Sequence, residues 1–203
     1  MKSRYTLICF VLLPSVIMLL LIPGCGVISP TPMPPYIHYT PSKASNIHLE
    51  FDYPNSWTFS EETQDTDFMV IGLGDPRIRT LPTPSPDDSP TPHDFGAIMI
   101  WIISSEPSQT PDNELESLKQ DYSNDFRIIL LKDYMVIIDG YNAGVLEYLV
   151  EPADYPSVMF NRRIIFIVKD QIYEILFEIA EKERGGEFEQ GYDYFFNSLK
   201  ILP

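Results

Sequence analysis

Histidine and cysteine are scarce in this chain, and their scarcity narrows the chemistry that it can perform. Its 203 residues include three histidines, His38, His48 and His93, and two cysteines, Cys9 and Cys25. A zinc site built from cysteine and histidine therefore lacks enough ligands. A nucleophile with a rigid histidine base is also poorly provided for, because His38 and His93 lie in proline-rich stretches and His48 is on the polar side of a strand pattern. We expect no catalytic residue, no metal and no cofactor.

Carboxylates are the remaining candidates for chemistry, and they form two acidic clusters. The clusters are Glu61, Glu62, Asp65 and Asp67 in one turn region, and Asp87 with Asp88 further along the chain. Neither contains the Asp-x-Asp-x-Asp-Gly pattern of a calcium loop. Paired carboxylates can hydrolyse glycosides, but the sequence of this small domain shows no aromatic-lined cleft. We interpret both clusters as solvated turn charges and expect that the protein is not an enzyme.

Basic residues are half as frequent as acidic ones. The chain has 14 lysines and arginines against 29 aspartates and glutamates, which gives a net charge of −15. Such a surface repels phosphate backbones, so nucleic acid is not an expected partner. The acidity favours solubility, and the alternative is that it attracts cations or basic partners.

The N-terminus has the pattern of an export signal. Lys2 and Arg4 precede an apolar run from Tyr5 to Pro23, and small residues follow at Gly24 and Cys25. The sequence Ile-Pro-Gly-Cys resembles the lipobox at which bacterial lipoproteins are cleaved and acylated. We therefore predict a signal peptide over residues 1–24 and lipid attachment at Cys25. Loss of Cys9 with the signal would leave Cys25 as the sole thiol, and acylation would protect it from oxidation.

An uncleaved transmembrane anchor is the competing interpretation of the same segment. Tyr5–Ile22 is near the lower limit for spanning a bilayer, and Pro14 is unfavourable in a helix. Pro23 is also a less usual lipobox residue than alanine or serine. Both interpretations place the chain after Cys25 outside the cytoplasm, attached to the cell membrane.

Proline divides the rest of the chain. Residues 25–45 contain five prolines and little apolar periodicity, so we expect a tether with polyproline II character. A globular domain is then predicted over residues 46–203. A second proline-rich block, at about residues 75–94, is predicted to be a disordered insertion between two strands.

Within the domain, the apolar pattern predicts an α+β fold. Period-two alternation marks strands from Ile47 onward, and Thr110-Pro111 is the expected start of a helix with apolar positions at Leu115, Leu118 and Tyr122. Further strands are expected over residues 126–131, 135–138, 144–150, 160–168 and 171–180, followed by a helix over 186–198. Short turns between strands favour a mostly antiparallel sheet. Strands that are apolar on both sides need cover on both faces, which predicts a three-layer α/β/α sandwich.

Three short motifs resemble the PsbP/Mog1/DcrB-like group of domains. They are Phe51–Trp57 (FDYPNSW), the hairpin Arg163–Tyr173 (RIIFIVKDQIY) and the closing segment Phe195–Leu202 (FFNSLKIL). The resemblance covers about residues 46–203 and implies an α/β/α sandwich that is often extracytoplasmic and lipid-anchored in bacteria. It also implies an accessory or binding protein without catalysis.

These observations lead to one preferred function and one alternative. The anchor, the tether and the missing catalytic set indicate a membrane-tethered extracytoplasmic lipoprotein that binds another protein at the cell envelope. The alternative is a lipoprotein that binds a ligand or cation through its acidic surface.

Overall fold

The computed structural model describes residues 35–42, 47–63, 68–75, 96–151 and 157–202. All of them belong to one compact unit, Pro34–Pro203. The strands are β1 (Tyr36–Tyr39), β2 (Leu49–Pro54), β3 (Thr58–Thr63), β4 (Phe68–Gly74), β5 (Ala97–Ser104), β6 (Ile128–Ile138), β7 (Tyr141–Val150), β8 (Met159–Val168), β9 (Gln171–Ala180) and β10 (Lys200–Ile201). The helices are α1 (Pro111–Ser123) and α2 (Glu187–Ser198), with a single 3-10 turn at Glu181–Glu183.

Seven of the strands form one antiparallel sheet in the order β3-β4-β5-β9-β8-β7-β6. Tight turns join β6 to β7 and β8 to β9, and Lys169 in the second turn adopts a positive φ of 57°. A two-residue turn can connect only antiparallel neighbours, which is why the local turn signals predicted the strand directions correctly. The expected α+β class with a mostly antiparallel sheet is confirmed.

Strand β6 differs from its prediction, because the two expected strands over residues 126–131 and 135–138 are one strand of 11 residues. The residues left between the two expected strands, 132–134, are part of this strand. The pairing with β7 skips Leu131, since Leu130 lies opposite Tyr148 and Lys132 lies opposite Glu147. A β-bulge of this kind inserts one extra residue and lets the strand continue.

A second, three-stranded sheet has the order β1-β2-β10. Its first strand, Tyr36–Tyr39, lies inside residues 25–45, so the prediction of a tether is wrong for these four residues. Tyr39 is buried and stacks on Phe51 with ring centroids 4.7 Å apart, and Tyr36 stacks on Tyr194 at 3.6 Å. The aromatic contacts order a segment that its prolines had marked as a spacer.

Other predicted segments fall outside the described residues. They are the signal peptide at 1–24, the tether residues 25–34 and 43–45, and all of the expected insertion at 75–94 except Asp75. Asp75 follows β4 and is buried. Among the described residues, no helix is both long enough and apolar enough to cross a membrane.

The two helices accompany two separate apolar clusters. Helix α2 contributes Phe188, Tyr192 and Phe195 to the larger cluster, which also includes residues of both sheets. Helix α1 places Leu115 in a smaller cluster with Leu146, Tyr148 and their neighbours. Both helices begin as predicted.

The start of α1 is fixed by its capping residues. Thr110 is the N-cap, and its hydroxyl accepts a hydrogen bond from the backbone N–H of Asn113 at 3.2 Å. Pro111 follows at the first helical position, where its missing N–H costs no helical hydrogen bond.

Candidate functional site at the free edge of the large sheet

The histidines and the cysteine singled out from the sequence do not form a common site in the described residues. Cys25 and His93 lie outside those residues. His38 is exposed on β1, where its Nδ1 lies 2.6 Å from Asp52 Oδ1 and its Nε2 lies 3.7 Å from Glu50 Oε2. His48 lies beside Lys169, with 3.5 Å between His48 Nδ1 and Lys169 Nζ, and burial lowers its pKa. The two described histidines therefore have different neighbours and no shared partner.

The acidic clusters are only partly described. Glu61 is exposed on β3 and accepts a hydrogen bond from the Tyr39 hydroxyl at 3.2 Å, and Glu62 is exposed beside it. Asp65, Asp67, Asp87 and Asp88 lie outside the described residues. Within the described ranges, no three His, Cys, Asp or Glu side chains are arranged to hold a metal ion.

Large apolar side chains are exposed at one edge of the seven-stranded sheet, and we call this surface the apolar edge. It consists of Phe126, Ile129, Leu130, Leu131, Met135 and Ile137. Phe126 is 94% exposed and Ile137 is 74% exposed. Exposed apolar side chains that are concentrated in one part of a protein surface mark a candidate contact surface.

The alternation of β6 sends its side chains to two faces of the sheet. On the face that carries α1 lie Ile128, Leu130, Asp133, Met135 and Ile137. On the face that carries α2 lie Ile129, Lys132, Tyr134, Val136 and Ile138. Contacts fix this assignment: Asp133 accepts a hydrogen bond at 3.0 Å from Lys119 of α1, whereas Tyr134 and Val136 pack against the larger core. The bulge at Leu131 shifts the alternation by one residue.

The backbone of β6 has hydrogen-bonding groups that β7 does not use. Asp139 and Gly140 form the two-residue turn after β6, both with positive φ (46° and 89°), as a type I′ hairpin requires. In such a hairpin the flanking residues, Ile138 and Tyr141, form the first hydrogen-bonded pair. Further along the two strands, non-hydrogen-bonded and hydrogen-bonded pairs alternate. The N–H and C=O groups of Ile137, Met135 and Asp133 consequently point away from β7. In the described part of the chain β6 has β7 as its one strand neighbour, so this row faces outward.

The two charges on β6 have different surroundings. Lys119 contacts both Asp133 (3.0 Å) and Glu116 (3.3 Å), and these hydrogen bonds raise the pKa of Lys119. Lys132 places its ammonium 4.3 Å from the ring centre of Tyr134. The edge therefore presents apolar side chains and free backbone groups beside a neutralised Asp133 and the ammonium of Lys132.

Tyr134 is fixed by a network on the α2 side of β6. Its hydroxyl donates to Glu147 Oε1 at 3.0 Å, and Arg162 Nε donates to the same oxygen at 2.9 Å. Burial and the Glu147 carboxylate raise the pKa of Tyr134. This network makes the position of β6 rigid close to the apolar edge.

A polar cluster on the α1 face of the sheet has a structural role. Arg163 Nη1 lies 2.7 Å from Glu174 Oε1, and the guanidinium lies 5.7 Å from the Trp101 ring and 5.5 Å from the Tyr122 ring. Trp101 is half-buried here, whereas Trp57 and Phe195 are buried in the core. The arginine is thus paired and stacked.

Sequence reasoning missed the apolar edge. A strand that is apolar on both alternating sides is usually interpreted as a central strand, and residues 126–138 satisfy that pattern. The position of β6 at the end of the strand order depends on long-range pairing, which short-range patterns do not encode. The available signal was a two-sided apolar strand interrupted by Lys132-Asp133, since a lysine within an apolar strand is a known device of edge strands.

Solved structures share this arrangement of strands and helices. Cyanobacterial PsbP (CyanoP) from Synechocystis sp. PCC 6803 superposes with a TM-score of 0.54 at 14% identity, over 89% of this chain and 99% of CyanoP. The chain has a PsbP-like fold. LpqN of Mycobacterium tuberculosis, which is involved in cell envelope biogenesis, has a TM-score of 0.52 at 11% identity, over 83% of this chain and 92% of LpqN. PA94 from Pseudomonas aeruginosa has a TM-score of 0.51 at 13% identity, over 83% and 98%.

The PsbP-like fold agrees with the three motifs that carried the resemblance. The Phe51–Trp57 segment runs from β2 through a turn in which Trp57 N–H donates to Pro54 C=O at 3.0 Å, and Trp57 packs on Phe188 at 4.5 Å. Arg163–Tyr173 is the β8–β9 hairpin, and the closing motif leads from α2 into β10. No protein-family model and no curated protein matches the sequence. The likeness at these identities establishes the fold.

Proposed function

We propose that this protein is a non-enzymatic accessory protein of the cell envelope and that it acts through protein contact at the apolar edge. One observation carries the proposal: β6 combines six exposed large apolar residues in and beside it with an unused row of backbone hydrogen-bonding groups. Edge strands with these properties accept an extended strand from another chain. The domain that presents this edge would have the three-layer α/β/α arrangement expected from the sequence.

The described polar residues support a role without catalysis. Tyr134 and Arg162 both donate to Glu147, Arg163 pairs with Glu174, and His38 pairs with Asp52. An accessory role also fits the PsbP-like fold, since LpqN, which shares it, is involved in cell envelope biogenesis.

The proposed location depends on Cys25. Cleavage before Cys25 and acylation of its thiol would attach the domain to the membrane, and β1 begins only at Tyr36. The spacer would then be about ten residues, or about 30 Å in polyproline II form, which is half of what a tether ending at residue 45 would span. The domain would therefore work close to the bilayer surface.

The anchor is tested by Cys25→Ala in cells fed an alkyne analogue of palmitate. We expect wild type to carry the label and to be processed, and the variant to carry no label and to retain residues 1–24. An unlabelled wild type that retains residues 1–24 and stays in the membrane would contradict lipidation and favour an uncleaved transmembrane anchor.

The contact surface is tested by photo-cross-linking in intact cells. A photoreactive amino acid at Ile137 should give a discrete higher-mass product, because a protein strand is expected to lie beside it. The same amino acid at Ile37, a 42% exposed isoleucine on β1, is the matched control and should give none. Absence of any product at position 137, with normal expression, would refute the proposed contact surface.

A further inference from the structure

We infer that the strand which occupies the apolar edge is β6 of a second copy of this chain, so that the protein is a twofold dimer. This inference rests on the proposed function, since it takes the apolar edge to be a protein contact surface. Two seven-stranded sheets would join through β6 into one sheet of 7 + 7 = 14 strands. The positions of the outward backbone groups, the side chains and the charges of β6 all permit this pairing.

The positions of the outward-facing backbone groups permit the pairing. The outward N–H and C=O groups belong to Asp133, Met135 and Ile137. Beyond the bulge the same alternation continues at Leu130 and at Ile128, although the Ile128 N–H already donates to the Asp125 C=O at 3.0 Å. All five residues lie on the α1 face. A twofold axis perpendicular to the sheet keeps faces matched and makes two copies of β6 antiparallel. With the axis at Asp133, every outward residue lies opposite another outward residue.

The side chains brought together on the α1 face are alike. Met135 faces Leu130 of the second copy, and Ile137 faces Ile128 of the second copy. Each of these pairs occurs twice because of the symmetry. Opposed apolar residues on antiparallel strands approach to about 4.5–5.5 Å between Cβ atoms, so these contacts remove exposed apolar surface from water.

The bulge is compatible with the same axis. Leu131 has no partner residue on β7. It also has none on the second copy, because its neighbours Leu130 and Lys132 face Met135 and Tyr134 of that copy, which are consecutive. On the α2 face, Ile129 then faces Val136 of the second copy and Lys132 faces Tyr134. Lys132 already contacts a tyrosine ring within its own strand, where its ammonium lies 4.3 Å from the centre of Tyr134.

The charges at the axis also balance. Asp133 would face Asp133 of the second copy, but each carboxylate has its own Lys119 ammonium at 3.0 Å. Across the contact, the charged groups would follow in the order Lys119, Asp133, Asp133 of the second copy and Lys119 of the second copy. The opposite sheet edge, β3, carries exposed Glu61 and Glu62, which oppose pairing of that edge with another copy. Association through β6 therefore closes at two chains.

Sedimentation of the full chain in a non-ionic detergent tests the inference. We expect a concentration-dependent dimer of wild type and at least a tenfold higher dissociation constant for Ile137→Lys, since the symmetry places a lysine opposite Ile128 at each of the two ends of the contact. Ile37→Lys is the matched control and should sediment as wild type does. Circular dichroism shows whether each variant keeps its fold. A wild-type chain that stays monomeric at high concentration, or a dimer that Ile137→Lys leaves intact, would overturn the inference.

Amide hydrogen exchange gives a second readout at single residues. Dimer formation should slow exchange at Asp133, Met135 and Ile137, with little change at Tyr134 and Val136, whose N–H groups already face β7. Equal concentration dependence at all five positions would contradict the register. The Ile137 cross-link separates the two proposals: a product of twice the chain mass supports the dimer, and a product containing a different protein overturns it while the proposed function stands.

Discussion

Replacing Tyr39 by alanine tests whether β1 belongs to the folded domain rather than to a tether. Tyr39 is 7% exposed, and its ring lies 4.7 Å from Phe51 and 5.6 Å from Phe59. Truncating a buried aromatic side chain to alanine costs about 3–5 kcal/mol in a protein core. Because β1 is a four-residue edge strand that can relax, we expect a loss near the lower limit, about 3 kcal/mol. In a tether, the same change would alter the free energy of unfolding by less than about 0.5 kcal/mol.

The hydrogen bond of Tyr39 can be separated from its packing. The hydroxyl donates to Glu61, which is exposed, so water can replace it, and Tyr39→Phe should cost only about 0.5–1 kcal/mol. Equilibrium unfolding in urea, followed by tryptophan fluorescence, gives the free energy of both variants. Ile37→Ala is the control, because Ile37 is in the same strand but 42% exposed. A Tyr39→Ala chain within about 0.5 kcal/mol of wild type would refute the assignment of β1 to the domain.

Two further predictions concern the buried aromatic core. Gly191→Val should destabilise the domain by about 1–3 kcal/mol in thermal unfolding, because a Cβ at Gly191 would lie 2.6 Å from the buried Trp57 ring; unchanged stability would show that the ring can move. Burial raises the pKa of Tyr173 to about 12, from an ordinary value of 10.0. The neutral Tyr173 side chain therefore stabilises the folded chain fully below pH 10, and this stabilisation is lost as the pH rises towards 12. Tyr173→Phe should therefore lose less stability than wild type between pH 10 and 12 in urea titrations. Identical alkaline losses in both chains would contradict this assignment.

The sequence predicted the elements whose signals are local. Thr110-Pro111 marks the start of α1, because a hydroxyl cap and an N–H-free first residue satisfy the helix terminus within a few residues. The turn at Lys169-Asp170 marks the β8–β9 hairpin for the same reason. In both cases the hydrogen bonds that decide the local structure join residues only a few positions apart in the sequence.

Strand β1 and the bulge in β6 escaped prediction because distant residues decide them. Tyr36–Tyr39 carries little strand signal among its prolines, and it is ordered by Phe51 and Tyr194, which lie 12 and 158 positions away from Tyr39 and Tyr36. Lys132-Asp133 resembles a turn until β7 supplies a ladder that can absorb an extra residue. Strand order, and with it the candidate site, depends on such long-range pairing.

The two edges of the large sheet differ in a way that folding alone does not require. Unpaired edges promote aggregation, and a chain with a net charge of −15 has many carboxylates with which to protect them. Edge β3 is protected in this manner by Glu61 and Glu62. Edge β6 has one carboxylate, Asp133, which Lys119 neutralises, and one lysine, Lys132, whose backbone groups face β7. The residues whose backbone groups face outward are otherwise apolar. An edge left apolar in so acidic a chain is most simply explained by a strand that covers it, and the register at Asp133 makes a second β6 fit.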